Sequence, residues 1–130
     1  ESAFMYNLRG ENEVEITTPS TLPANSEFGA CVYVGSGRIG IGAPGIDHTT
    51  AEGSIFLYDL DGTFMEEWKA SYNSSDAWDF GRTFAIEDGI MYALGGVNPN
   101  NSSQRMYRRF LPNVFTPFDA RNLTICGGRR

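Results

Sequence analysis

The chain is short of the residues from which most active sites are built. It contains one histidine, His48, and two cysteines, Cys31 and Cys126. It has no G-x-S-x-G nucleophile elbow, no phosphate-binding P-loop and no zinc-ligand spacing. His48 lies in the polar stretch GIDHTTAEG beside Asp47 and reads as a solvated loop residue. The cysteines stand 95 positions apart, which excludes a C-x-x-C redox or metal motif. One long-range disulfide between Cys31 and Cys126 and two buried thiols remain equal options, decided by the redox compartment. No catalytic residue and no cofactor is assigned, and the expectation is a non-enzymatic protein.

Basic charge is also scarce. Lys plus Arg number 10 against 16 for Asp plus Glu, giving a net charge of −6. Nucleic-acid binding needs a concentrated basic surface to release counterions, so that class is excluded. Arg105, Arg108, Arg109, Arg121, Arg129 and Arg130 gather toward the end and leave the first hundred residues acidic. No apolar run approaches the roughly 20 residues of a membrane-spanning helix, and no basic-then-apolar signal segment is present, so no membrane insertion is expected. The sequence starts at Glu1 rather than Met, which leaves room for a removed leader or a longer N-terminal portion. Asn73, Asn100, Asn101 and Asn122 each begin an Asn-x-Ser/Thr triplet. They are glycosylation acceptors only in a eukaryotic secreted protein, and Ser- and Asn-rich loops also produce such triplets by chance.

Helical periodicity is almost missing, and what replaces it is a repeat. SAFMYNLRGENEVEI from Ser2 lies over SIFLYDLDGTFMEEW from Ser54 at an offset of 52, matching Phe4 to Phe56, Tyr6 to Tyr58 and Gly10 to Gly62. At the same offset EFGACVYVGSG from Glu27 falls on DFGRTFAIEDG from Asp79, pairing Phe28 with Phe80 and Gly37 with Gly89. A divergent third copy begins near RMYRRFLPN, with Phe110 expected in the place of Tyr58. Each unit reads as two hairpins, one turning at Ser36-Gly37 and one at Asp61-Gly62. The expected fold is therefore all-β: a propeller-like array of four-stranded antiparallel units within one domain, 1–130. It divides into a half unit at 1–26, a full unit at 27–78 and a divergent unit at 79–130. Since 130/52 is 2.5 units, and closed propellers typically have at least four blades, such an array has open edges. Oligomerisation, insertion of half-blades between subunits or excision from a longer propeller would resolve them. A small open sandwich is the alternative architecture.

Gly35-Ser-Gly37-Arg-Ile-Gly40 satisfies the G-x-G-x-x-G pattern of dinucleotide and kinase loops. The dinucleotide version requires a following helix, yet Ile41-Gly42-Ala43-Pro44-Gly45 cannot start one there. Gly37 recurs as Gly89, whereas Gly35 and Gly40 become Glu87 and Tyr92. The stretch is read as a hairpin in which those two glycines are incidental.

Phe28-Gly29 followed by Gly42-Ala43-Pro44-Gly45 resembles the FG-GAP repeats of integrin α-subunit propellers and of many bacterial and viral surface proteins. The likeness covers 27–71 well and 79–97 more loosely, where Gly95-Gly96 stands in place of Ala-Pro. The phrasing of VGSGRIGIGAPG and GSIFLYDLDGT also resembles repeats in structural proteins of marine bacteriophages. Family members carry a calcium loop between the Phe-Gly and Gly-Ala-Pro segments. Here that interval, ACVYVGSGRIGI, contains no carboxylate, so no metal site is carried over. The DLDG stretch at Asp59 to Gly62 is read as turn-forming.

Acid pairs such as Glu66-Glu67 and Asp76-Asp79 could supply the two carboxylates of a glycosidase. In so acidic a chain they carry no discrimination. Most aromatics recur in the repeat and are expected in the core, while Trp78, opposite Ser26 in the register, is a candidate ligand-stacking residue. Loops at 44–53, 72–79 and 97–105 are expected to face outward. The resemblance implies a structural or adhesion module of a virion (decoration, fibre or tail-associated) or another extracellular assembly. Its partners would be copies of itself, neighbouring structural proteins, or a cell-surface glycan or receptor. A secreted integrin-like adhesion or carbohydrate-binding fragment is the second reading, and a propeller-type hydrolase the third.

Overall fold

In the computed structural model, residues 2–19, 22–47, 52–69, 79–95 and 105–112 are described. Those residues contain strands and no helix, in three antiparallel sheets, none of them closed. The first sheet pairs β1 (Ser2–Met5) with β2 (Val14–Thr17). The middle sheet is a four-stranded meander of β3 (Cys31–Gly35), β4 (Arg38–Asp47), β5 (Glu52–Asp59) and β6 (Phe64–Lys69). The third comprises β7 (Phe84–Glu87), β8 (Ile90–Gly95) and β9 (Arg105–Phe110).

Turn chemistry explains where the strands reverse. Ser36 and Gly37 both take positive φ between β3 and β4, as do Asp88 and Gly89 between β7 and β8, a backbone twist that matches the strands on either side. Between β5 and β6 the connection is longer than an Asp-Gly two-residue turn. Asp59 Oδ1 accepts hydrogen bonds from the Asp61 and Thr63 amides at 3.0 and 2.9 Å, and only Gly62 has positive φ. Asn7 does the same between β1 and β2, accepting from the Arg9 and Glu11 amides at 2.9 Å, with Gly10 at positive φ. Short side chains that bond the backbone two and four residues on are the usual way to hold such loops. The positive-φ pairs Gly10 and Gly62, Glu27 and Asp79, Gly29 and Gly81, Ser36 and Asp88, and Gly37 and Gly89 all stand fifty-two positions apart.

The central strands of the middle sheet, β4 and β5, are buried on both sides. Along β5, Ile55 and Leu57 join Phe80, Phe84, Ile86 and Met91 in a core shared with the third sheet. The alternate residues Phe56 and Tyr58 join Ile39, Ile41 and Ile16 in a second core, against which Ala3 and Met5 of the first sheet pack. A strand buried on both faces loses the polar alternation of a half-exposed one, and SIFLY is apolar at four of its five positions.

The glycines of β4 set how closely the sheets approach. A Cβ at Gly40 would lie 2.5 Å from the Phe84 ring, and one at Gly42 would lie 1.8 Å from the Gly81 carbonyl oxygen. Gly35 is as confined, with the Ile86 carbonyl oxygen 2.2 Å from its would-be Cβ. The incidental status expected for Gly35 and Gly40 is therefore corrected. Only Gly37 serves the turn, and the other two admit the third sheet.

Two further expectations change. The segment 44–53 is not one outward loop, since β4 extends to Asp47, β5 starts at Glu52, and Pro44 and Gly45 are buried. Pro44 lies where the β4–β5 register shifts, an irregularity that accommodates a residue without a backbone donor. The other change concerns β9. Its register places Phe110 opposite Ile90, whereas the position fifty-two before Ile90, Arg38, pairs with Asp59. Phe110 thus replaces Asp59 rather than Tyr58, and Tyr107 replaces Phe56. A one-residue slip turns every side chain of a strand to its other face, so Phe110 is 66% exposed.

Candidate functional site

Reactive groups do not converge among the described residues. Glu66 and Glu67 are neighbours in β6 but point to opposite faces. Glu66 Oε2 accepts from Arg109 Nη2 at 2.7 Å on the side of the third sheet, and Glu67 Oε1 accepts from Ser54 Oγ at 2.6 Å on the other. A glycosidase pair must face one substrate, so these two carboxylates are not such a pair. Asp79 is engaged with Arg82, whose guanidinium also reaches Glu27 Oε2 at 2.8 Å. Those contacts, the Asp79 hydrogen bond foremost, hold the Arg82 pKa above its ordinary value. Asp59 spends its carboxylate on the turn. No group of three His, Cys, Asp or Glu suited to a metal ion occurs among the described residues.

Cys31 is half-buried at the start of β3, its Sγ 4.0 Å from the Phe84 carbonyl oxygen. Cys126, Trp78, His48, Asp76, Asn73, Asn100, Asn101 and Asn122 lie outside the described residues. The disulfide, glycosylation and stacking expectations fall there with them.

What the fold presents instead is a set of uncovered apolar faces. Phe4 and Tyr6 are 53% and 50% exposed, although Phe56 and Tyr58, fifty-two positions on, are 2% and 4% exposed. The difference is cover: the first sheet lies over Phe56 and Tyr58, and nothing described lies over Phe4 and Tyr6. Tyr6 donates its hydroxyl hydrogen bond to Glu13 at 2.6 Å, and that bond is the main reason its pKa is raised. Burial alone pushes the Tyr58 phenol up to about 12, and its hydroxyl finds no partner among the described residues.

Val32 and Val34 show the same contrast. They are 49% and 61% exposed, whereas Phe84 and Ile86, their counterparts in β7, are 5% and 2% exposed. The third sheet brings β7 and β8 against the middle sheet. The described first sheet has only two strands, leaving a groove of about 240 Å³ between β1 and the β3–β4 hairpin.

A shallow apolar face of about 210 Å³ covers the far side of the third sheet, around Ala85, Tyr92, Leu94 and Met106. Register pairs Leu94 with Met106, Tyr92 with Arg108 and Ile90 with Phe110, so Arg108 and Phe110 share that face. The guanidinium of Arg108 sits 5.9 Å from the Phe110 ring centroid. Uncovered apolar strand faces and edges of this kind are surfaces suited to association. Sequence reading missed these faces because it assigned Phe4 and Tyr6 to the core by repetition. A repeat shows which positions correspond and carries no signal of which of them are covered. The chain matches no family model, no curated protein and no solved structure.

Proposed function

We propose that the protein is a non-enzymatic structural module, a propeller-like array of stacked sheets that works by joining an assembly through its open faces. One observation carries the reading: the central strands of the middle sheet, β4 and β5, bury both faces, while the outer faces of the flanking sheets stay uncovered among the described residues. A sheet stack of this type is stable in its interior and sticky at its ends. The fifty-two-residue recurrence of turn conformations supports treating the three sheets as copies of one unit.

The proposed setting is a virion or another extracellular assembly, with the protein as a decoration, fibre or adhesion subunit. This rests on the resemblance of Phe28-Gly29 and Gly42-Ala43-Pro44-Gly45 to FG-GAP repeats. In the fold those segments hold each other: the Gly29 amide donates to the Gly42 carbonyl at 2.9 Å, and the Gly45 amide to the Ser26 carbonyl at 3.0 Å. The test is the native mass of the full chain across a concentration series. Species heavier than the 14.3 kDa chain are expected, and a stable monomer throughout overturns self-assembly.

A further inference from the structure

From the order in which its sheets pack, we infer that the open face of the third sheet receives the open face of the first sheet of a second copy of this chain, head to tail. The inference rests on the assembly reading above and specifies its contact. The chain displays one packing rule twice. Ala3 and Met5 of β1 cover the face of Phe56 and Tyr58 on β5. Ile55 and Leu57 of β5 cover the core of Phe80 and Phe84, to which Tyr107 of β9 is added.

Carried one step further along β9, the one-residue slip makes Met106 and Arg108 the counterparts of Ile55 and Leu57. They cover nothing among the described residues, and Met106 is 71% exposed. At the other end, Phe4 and Tyr6 are the counterparts of Phe56 and Tyr58 and stay 53% and 50% exposed, with no described sheet over them. The two leftover faces are thus the two halves of the contact that the chain already makes twice.

Charge supports the same match. The outward face of the first sheet carries Glu13 and Glu15, which accept from Tyr6 and Ser2 at 2.6 and 2.7 Å. The outward face of the third sheet carries Arg108. The internal precedent is the 2.7 Å pair of Arg109 with Glu66 across the junction of the third and middle sheets. Joining two different faces makes the contact heterologous, so repetition closes a ring or extends a filament.

Two cysteine variants test the geometry in the full chain, each made in a background with Cys31→Ser and Cys126→Ser so that the introduced thiol is the sole one. Phe4→Cys and Met106→Cys, both at exposed positions, are mixed and oxidised. A disulfide-linked dimer is expected in the mixture and not in either variant alone. Dimers from one variant alone would mean like faces meet, and would overturn the inference. Arg108→Glu is expected to raise the midpoint concentration of assembly about tenfold, with Glu15→Arg in the same chain restoring it. If the wild-type chain self-associates but the mixture does not cross-link, the faces are wrong and the assembly reading stands. If the wild-type chain stays monomeric, both fall, and the two faces belong to some other partner.

Discussion

The two junctions of the middle sheet use different means to reach the same end. On the side of the third sheet, glycines at 35, 40 and 42 let two backbones approach, and aromatic rings lock the contact. Phe80 stands between Trp68 at 4.9 Å and Tyr107 at 5.3 Å, both edge to face. On the side of the first sheet, isoleucines occupy the alternate β4 positions, Phe28 rests on Phe56 at 5.7 Å, and the groove beside Val32 and Val34 is empty among the described residues. One junction is set by what has been removed from the side chains, the other by what has not been placed against them. A sheet can therefore be fully buried on one side and half-finished on the other while its strands look alike in sequence.

Substitutions can break this comparison. The largest effect is expected for Phe80→Ala, about 4 kcal/mol in denaturant unfolding, because a fully buried ring is lost and a cavity remains. Phe28→Ala should cost about 1 kcal/mol less, since Phe80 sits between two further rings; equal losses would mean the junctions are equivalent. Gly42→Ala should cost about 3 kcal/mol despite adding one methyl, because the backbone of Gly81 stands where that methyl must go. A neutral Gly42→Ala would show that the sheets are farther apart than described.

Smaller changes sharpen it. Asp59→Ala and Asn7→Ala should each cost about 1 kcal/mol through their loops, and by similar amounts, because both side chains make the same two amide contacts. Val34→Ser should change the stability of the isolated chain by less than about 0.5 kcal/mol, in contrast with the buried Ile86 position. Alkali probes Tyr58 directly. Its phenol ionises near 10 when unfolded and near 12 when folded, so the unfolded chain holds fewer protons between those values. Stability should be unaffected by this group below pH 10 and should fall as pH rises from 10 to about 12. Phenolate absorbance against an unfolding curve checks both ends, and Tyr58→Phe should flatten the fall.

Much of this fold is legible in the chain. The turns at Ser36-Gly37 and Asp88-Gly89 follow from residues that tolerate positive φ, and the all-β character follows from short strands between them. The sheet edges were harder to read, because repetition told which positions correspond and not which correspondents are covered. Phe4 matches Phe56 in type and differs from it in everything around it. The β9 register was misread for a related reason: Phe110 and Tyr58 share an aromatic ring, and only the pairing with Ile90 shows that they point to opposite faces. Gly35 and Gly40 lack counterparts in the next unit, so repetition dismissed residues that the close approach of Ile86 and Phe84 requires. No catalytic site was legible, and Asp59, Glu67, Glu66 and Asp79 are engaged by a turn, a strand hydroxyl and ion pairs.

The β9 slip reaches beyond geometry. By turning Phe110 out it brings Arg109 in, beside Trp68 and Glu66, so the seam between the middle and third sheets includes an ion pair where the seam on the other side is made of hydrocarbon. Ionic strength then becomes a selective lever on one molecule: added salt screens the first kind of contact and strengthens the second. Added salt should therefore stabilise the seam toward the first sheet more than the seam toward the third, where the gain of its own hydrocarbon is partly offset by the screened pair.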